Sequence, residues 1–471
     1  MRYLLINSWQ QFLASIMLIW FRVSRLIISL SSIKIIKRAF ELREYIFSGF
    51  SIIFFTNLLR LNSLFRSSEG ELGSSSYGSN FLAPINSLIQ HTIFLIVIIL
   101  VVSHWQEITR VFVRSIFLWG LIILILCSFL WSPLPDITQR SSLALFQTYL
   151  FGVYFASRFT LEEQLRILFF SLSITGISSL LFSLAFPRNA IEAGVHAGAW
   201  RGPFEQKNLF ARLMVLGSTV CLAITPKNNK ERYIILGALA LFIVSVILTA
   251  SKTALGLVIL LIVLKQFYKV CWWKGTKAIP FLLTLFLITA CFILFIVGNY
   301  ESLITSAGRD PTLSGRTIIW SALIDKIQER PWLGYGYMGF WSGLDGESAY
   351  IAKAYGTTYV PPHSHNGFFE LILAFGLWGV LLFGFSLLSI TRRAIISARL
   401  NQTSEGLWPL LYVSFILFYN QTESTLIEHN SIFWVIYVGL AFSRFISHND
   451  TFNQLGNQKN QTLVHEFTEL S

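Results

Sequence analysis

Two stretches of the chain combine residue types that can hold an anion and move a proton. The first is Gly308-Arg309-Asp310-Pro311-Thr312-Leu313-Ser314-Gly315-Arg316. Ser314 ahead of Gly315-Arg316-Thr317 is a helix N-cap pattern, and the helix it predicts runs to about Arg330, before Pro331. Arg316 then lies in the first helical turn, where free backbone N–H groups and the positive dipole end favour an anion. A guanidinium adds a planar fork that grips phosphate through two parallel hydrogen bonds. Arg309, upstream, is positioned to close the other side. The alternative is simple pairing, Arg309 with Asp310 and Arg316 with a carboxylate such as Glu301.

The second stretch is Pro361-Pro362-His363-Ser364-His365-Asn366-Gly367-Phe368-Phe369-Glu370. A neutral imidazole can take or give a proton near pH 7, which suits general base or acid work. The next helix is expected to begin near His365. His365 and Gly376 are 11 residues apart, close to three helical turns, so they are expected to share a face with Gly379 nearby. Small residues on that face would let a neighbouring helix approach. Glu370 lies just inside an apolar run, where a charge must face protein or water. The alternative for the histidines is a structural role at the membrane surface.

Two further sets are less specific. In Trp200-Arg201-Gly202-Pro203-Phe204-Glu205-Gln206-Lys207-Asn208, the cations Arg201 and Lys207 suit an anionic headgroup or plain interfacial anchoring. In Tyr419-Asn420-Gln421-Thr422-Glu423-Ser424, followed by Glu428 and His429, Glu423 is a catalytic carboxylate, a substrate contact or a helix-end polar group. Histidines and carboxylates do not recur at metal-ligand spacing. Neither a nucleotide-type phosphate loop nor a dinucleotide fingerprint occurs. No metal and no other cofactor are therefore expected.

The elements that must position these residues are apolar. Of 471 residues, 54% are hydrophobic and 13% charged, against about 25% charged in soluble domains. Such a chain needs a lipid bilayer as solvent. The expected fold is an all-α polytopic membrane protein of about 12 transmembrane helices with one large extracytoplasmic loop. Apolar segments occur at about 45–62, 89–104, 115–131, 142–158, 165–186, 207–225, 232–250, 253–268, 279–298, 366–390, 406–420 and 429–447. The division that follows is a cytoplasmic or interfacial segment 1–44, transmembrane helices over 45–298, a large periplasmic loop 299–364, C-terminal transmembrane helices over 365–447 and a polar cytoplasmic tail 448–471. Arg22 and Arg25 make residues 10–31 an expected amphipathic surface helix rather than a span. No small-residue cleavage site follows the apolar N-terminal stretch, so no cleavable signal peptide is expected.

The net charge of +12 is spread over connectors, which fits the positive-inside rule and not a nucleic-acid partner. Counting from a cytoplasmic start, alternate connectors carry Lys34, Lys37, Arg38 and Arg43; Arg110 and Arg114; Arg158 and Arg166; Lys227, Lys230 and Arg232; Lys265, Lys269, Lys274 and Lys277; and Arg392, Arg393 and Arg399. Arg201, Lys207, Arg309 and Arg316 stand on the outer side against that bias. The four cysteines, Cys127, Cys221, Cys271 and Cys291, show neither disulfide nor metal spacing.

At these residues the sequence resembles the O-antigen ligase and polymerase superfamily, and within it the exopolysaccharide-polymerase branch, over about residues 90–447. The family's ligase motif reads here as His365-Asn366, nine residues, then Gly376-Leu377-Trp378-Gly379. The loop arginine element matches Ser314-Gly315-Arg316 with Arg309 upstream. A Pro-x-x-Gly-x-Gly turn appears as Pro331-Trp332-Leu333-Gly334-Tyr335-Gly336, and a Trp-Ser-x-x-Pro stretch as Trp131-Ser132-Pro133-Leu134-Pro135.

The resemblance implies a metal-independent, inverting glycosyltransferase at the outer face of the bacterial inner membrane, its site facing the periplasm. The implied donor is an undecaprenyl-pyrophosphate-linked oligosaccharide. Arg316 and Arg309 would hold the pyrophosphate with Arg201 and Lys207 in support, and His365 would deprotonate the acceptor hydroxyl or position the group that does. Glu370 and Glu423 would share acceptor or base duties, with His363 and Asn366 supporting. A flippase and a chain-length regulator are the protein partners this implies. A ligase to another acceptor is the near alternative. A transporter of small anions such as bicarbonate is the distant one, and it lacks an evident inverted repeat. A scaffold role leaves the outer Arg and His residues without purpose.

Overall fold

The computed structural model describes residues 35–59, 83–112, 114–272, 316–354, 356 and 360–445. The expected surface helix over 10–31, the segment 279–298, Ser314, Arg309 and the polar tail lie outside the described residues. Those described are helical. In chain order the helices are α1 (Ile35–Phe55), α2 (Ala83–Ser103), α3 (Trp105–Phe112), α4 (Ile116–Cys127), α5 (Pro135–Arg158), α6 (Leu161–Ala185), α7 (Lys207–Ala223), α8 (Asn229–Leu248), α9 (Lys252–Tyr268), α10 (Arg316–Glu329), α11 (Ala349–Ala354), α12 (Gly367–Asn401), α13 (Ser404–Tyr419) and α14 (Ile432–Phe442). Single helical turns punctuate the connectors, and one isolated antiparallel bridge joins Ile191 to Trp200.

Among the described residues, four helical stretches are long and apolar enough to cross a membrane: Pro84–Ser103, Leu161–Ala185, Asn229–Leu248 and Gly367–Asn401. Only 11% of the apolar window of the first, and 22% of the third, is buried against protein. Water would not tolerate such faces, so lipid must cover them. Local signals start these helices where the sequence provides them. Thr160 caps α6 in a capping box: its Oγ1 accepts from Glu163 N at 3.4 Å, and Glu163 Oε2 accepts from Thr160 N at 2.8 Å. Asn228 caps α8 through Glu231 N at 2.8 Å.

The main core joins α1, α4–α9 and α12–α14 through side chains such as Tyr149, Phe210, Trp408 and Trp434. α14 begins beside the loop bearing Glu423, Glu428 and His429. At its other end Arg114 Nη1 donates to Phe442 O at 2.9 Å and Arg393 Nη2 to Ala441 O at 2.6 Å. Those guanidiniums satisfy carbonyls that a helix C-terminus leaves unpaired. The two ends of an 11-residue helix are about 16 Å apart. The arginine-capped end and the candidate site therefore lie on opposite sides of the bundle.

A second, smaller core holds the segment between Arg316 and Ala354. Ile319 and Leu323 of α10 pack with Tyr335, Phe340, Ile351 and Leu373. This cluster fixes α10 and α11 against the first turns of α12.

Three of the sequence motifs meet beside this small core. Gly376 interrupts α12 with φ 60° and ψ −156°, so amides and carbonyls on either side of it lose their helical partners. The Pro331–Gly336 turn supplies replacements. Tyr335 N donates to Leu373 O and Gly336 N to Ala374 O, both at 2.9 Å, and Leu377 N donates to Pro331 O at 2.8 Å. A Cβ on Gly376 would lie 2.3 Å from the Trp332 carbonyl carbon, and one on Gly334 would lie 2.4 Å from Leu373 O. Both glycines have positive φ, so close approach and backbone conformation each require them. The Trp131–Pro135 turn and the helical turn before it hold the other side, with Trp131 Nε1 donating to Leu333 O at 3.0 Å and Tyr337 N to Ser128 Oγ at 3.2 Å.

This arrangement corrects the expectation for Gly376. The helix starts at Gly367, after His365, and His365 itself is left-handed with φ 57°. The 11-residue spacing is therefore not three regular turns. The element that approaches Gly376 is an extended turn rather than a helix.

Candidate active site

The His363–Gly367 turn is built by short polar side chains. Asn366 Oδ1 accepts from Phe368 N at 2.9 Å and Phe369 N at 3.3 Å, which caps α12. Ser364 Oγ donates to Asn366 O at 2.8 Å, and Trp320 Nε1 of α10 donates to Ser364 O at 2.9 Å. The turn is latched to the loop after α13: Gly367 N donates to Asn420 O at 2.9 Å and Asn366 Nδ2 to Gln421 O at 3.3 Å. That latch brings residues more than fifty positions apart into one site.

Glu423 is its hub. Its Oε1 accepts from Asn208 Nδ2 at 2.8 Å and lies 3.9 Å from Arg316 Nη2. Its Oε2 lies 3.9 Å from His365 Nδ1, an ion-pair distance too long for a hydrogen bond. Among the described residues, the buried His365 Nδ1 has no hydrogen-bond partner. Burial pushes the Glu423 carboxyl up, but His365, His363 and Arg316 beside it outweigh burial and hold it below the usual carboxylate range.

His363 stands behind His365, the ring centroids 4.2 Å apart and edge to face. Its Nδ1 accepts from His365 N at 3.2 Å, so the neutral ring carries its proton on Nε2. Burial first, and the charge of His365 second, lower the His363 pKa to about 4. At neutral pH His363 is an uncharged acceptor that holds the His365 backbone in its left-handed conformation. A left-handed non-glycine residue costs free energy and persists only where its surroundings enforce it.

Glu370 faces the back of the same turn. Its carboxylate accepts from Trp341 Nε1 at 3.1 and 3.0 Å and from the Ser364 amide. These contacts tie Trp341 to the histidine turn, and they occupy Glu370 in positioning it.

Arg201 donates through Nε to Asn189 O at 3.1 Å and through Nη1 to Glu205 O at 3.4 Å. It thereby closes its own loop. Lys207 opens α7, and its amide donates to Glu192 Oε1 at 2.7 Å. The structure thus brings Arg316, His363, His365, Asn366, Glu370 and Glu423 into one neighbourhood, and it gives Arg201 contacts within the Pro187–Gln206 connector.

Two residues of the site carried no role in the sequence reading. Asn208 and Arg212 lie one turn apart on α7, and Arg212 pairs with Glu428 at 3.3 Å beside the Asn208–Glu423 bond. Burial raises the Glu428 carboxyl, and the Arg212 charge leads the effects that bring it below the usual range. A basic residue inside an apolar helix demands an acidic partner. That demand was the available signal for Arg212.

The fold also gathers one group that sequence spacing did not suggest. His363, His365 and Glu423 each present a ligand atom within 4.8 Å of the others, a group that could hold a metal ion. Sequence spacing could not reveal it, because Glu423 arrives from another loop. Arg316 brings a fixed positive charge to the same carboxylate, and the His363 Nδ1 lone pair is already taken.

Residues 236–384 match the family model described as O-antigen ligase. That span contains Arg316, the Pro331–Gly336 turn and His363 through Gly379, whereas Asn208 and Glu423 lie outside it. Over 86 residues the chain is 30% identical to the exopolysaccharide production protein ExoQ of Rhizobium meliloti (strain 1021), a match covering 18% of this chain and 20% of that protein. The chain thus matches about a fifth of the length of that curated relative. A solved structure titled "Structural coordination of polymerization and crosslinking by a peptidoglycan synthase complex" aligns over 69% of this chain and 95% of that one at 18% identity. The TM-score of that alignment is 0.32.

Proposed function

From the match of residues 236–384 to the O-antigen ligase model and of 86 residues to ExoQ, we propose that the chain is a member of the O-antigen ligase and polymerase superfamily, in its exopolysaccharide branch, and polymerises lipid-linked saccharide repeats. The donor is a saccharide on undecaprenyl pyrophosphate, presented at the outer face of the bacterial inner membrane. About twelve helices cross that membrane in this reading, and the segment 299–364 forms the outer loop. A flippase delivers the donor and a chain-length regulator sets when synthesis stops.

The observation that carries the proposal is the shared carboxylate. Arg316 Nη2 and His365 Nδ1 each lie 3.9 Å from Glu423, so a cation and a candidate base flank one negative charge. The acceptor hydroxyl attacks the anomeric carbon and forms the new C–O bond. The old bond to the pyrophosphate oxygen breaks and its electron pair leaves with the carrier. The hydroxyl proton passes to His365 Nε2, while the Glu423 carboxylate, at ion-pair distance from Nδ1, stabilises the imidazolium.

Charge building on the leaving pyrophosphate is met by Arg316, with Arg309 as its partner. Arg316 exchanges Glu423 for phosphate oxygens as donor binds. Attack from the face opposite the carrier inverts the anomeric centre. Glu370, His363 and Asn366 position the histidine turn, and Arg201 and Lys207 serve the headgroup region. With guanidiniums neutralising the leaving group, the reaction proceeds without a metal.

The test supplies purified protein in lipid with undecaprenyl-pyrophosphate-linked repeats, chelator and no nucleotide sugar. A product ladder lengthening with time supports the polymerase. Transfer only after a different acceptor is added moves the chain to the ligase side. Activity that stops in chelator and returns with a divalent ion would replace the arginine-only account with one using His363, His365 and Glu423 as ligands.

A further inference from the structure

A cavity of about 420 Å³ opens between α10, α11 and the Trp131–Pro135 turn. Its volume falls in the range of about 300–1,000 Å³ usual for small-molecule sites. Leu134, Lys326, Ser342, Asp345, Glu347 and Tyr350 line it. The walls are held by their own contacts. Lys326 Nζ reaches Glu347 at 3.0 Å and Glu329 at 2.9 Å, and it lies 5.2 Å over the Tyr350 ring. Arg330 stands 3.7 Å from Glu347. Tyr350 OH donates to Asp325 Oδ2 at 3.0 Å, and its side chain stays 39% exposed. Ser348 fixes the bend over the cavity by accepting from Ser342 N at 3.0 Å and donating to Gly343 O at 2.9 Å.

The charges decide the class of ligand. Among the lining residues two carboxylates, Asp345 and Glu347, stand against one cation, Lys326, and behind them Asp325, Glu329 and Arg330 contact the lining side chains. Both cations already have carboxylate partners. An anion such as pyrophosphate is repelled here. What remains on offer is an aromatic ring, an apolar floor at Leu134, and acceptors that can be shared among several hydroxyls. That mixture matches a sugar ring, with its apolar C–H face and hydroxyl edge. A chain of contacts links the cavity wall to the histidine turn. Ser342 directly follows Trp341, whose indole holds Glu370, which in turn holds the Ser364 amide.

We propose that this cavity is a saccharide subsite, seating an uncharged sugar of the glycan against Tyr350 with its hydroxyls on Ser342, Asp345 and Glu347. The proposal deepens the transferase reading and rests on it for the source of the sugar. The bound glycan is either the acceptor or the distal part of the lipid-linked donor.

The test uses the full chain in nanodiscs with a panel of short neutral gluco- and galacto-oligosaccharides, read by saturation-transfer NMR. Inorganic pyrophosphate is the competing probe. Asp345→Ala and Tyr350→Ala are compared at matched thermal stability, Asp345 being an exposed residue of a surface turn. Each variant is expected to weaken saccharide binding on the order of tenfold, with pyrophosphate binding unchanged. Equal saccharide binding in wild type and both variants, or displacement by pyrophosphate, overturns the subsite. In transfer assays, a rise in KM for a free glycan acceptor assigns the cavity to the acceptor, and a rise only for the lipid-linked donor assigns it to the donor. If transfer occurs and neither KM moves, the subsite falls and the transferase stands. If saccharide binds through Tyr350 in a chain that transfers nothing, the subsite stands and the transferase falls.

Discussion

Replacing Glu423 by Gln removes one charge and nearly nothing else. The side-chain oxygen that accepts from Asn208 is retained, and the loop backbone after α13 is untouched. What disappears is the attraction between a carboxylate and an imidazolium whose nearest atoms are 3.9 Å apart. At that distance the interaction is about 4 kcal/mol for an effective dielectric of about 20, and about 1 kcal/mol in bulk water. His365 is 28% exposed and Glu423 15%, so the site lies between those limits, at about 2 kcal/mol. A loss of that size in the transition state lowers kcat about 30-fold. The same change frees Arg316 from its resting partner, so KM for the lipid donor is expected to hold or fall.

The assay is single-turnover transfer from a fluorescent lipid-linked donor, with kcat and KM separated. A fall in kcat with no rise in KM fits the reasoning. A raised KM at wild-type kcat would refute it, because Glu423 would then bind donor rather than support a base.

Arg316→Ala should raise donor KM and cut kcat together, on the order of a hundredfold in kcat/KM, and Arg316→Lys should recover only part, because an ammonium lacks the bidentate fork; the measurement is the same transfer assay. Gly376→Ala puts a Cβ 2.3 Å from the Trp332 carbonyl carbon at a φ of 60°, so a loss of about 3 kcal/mol or more in stability is expected, read as a lower Tm in nanodiscs. His363 has a folded pKa of about 4 against an ordinary value of 6.5. The unfolded chain therefore takes up its proton first, and stability is lost as pH falls from about 6.5 to about 4, by up to about 3 kcal/mol. His363→Gln should flatten that part of the Tm-versus-pH curve, and an unchanged acid slope would remove His363 as its cause.

The helices were legible because lipid imposes a simple code: runs of apolar residues with basic connectors leave few alternatives. Eleven of the twelve apolar segments overlap described helices, and the helix that carries Arg316 ends at Glu329, as the Pro331 stop implies. The Pro331–Gly336, Gly376–Gly379 and Trp131–Pro135 motifs were legible as strings, but their joint purpose was not. Each exists to satisfy backbone groups of the others around one break in α12, and a periodicity argument assumes that no such break exists. The histidine turn was legible by residue type. Its left-handed His365 was not, since only Ser364, Asn366 and His363 acting together impose that conformation. Glu423 was visible only as one of several polar helix-end residues. Its partners Asn208 and Arg316 come from positions more than a hundred residues away, a proximity that one sequence does not encode locally.

The site around His365 and Glu423 is proposed to move glycan off a pyrophosphate carrier. The most direct measurement is single-turnover release of undecaprenyl pyrophosphate, counted against glycosidic bonds formed, for wild type and His365→Ala in chelator. The account predicts one carrier released per bond in the wild type, and a loss of both in His365→Ala. Release and bond formation at the wild-type rate in His365→Ala would contradict it.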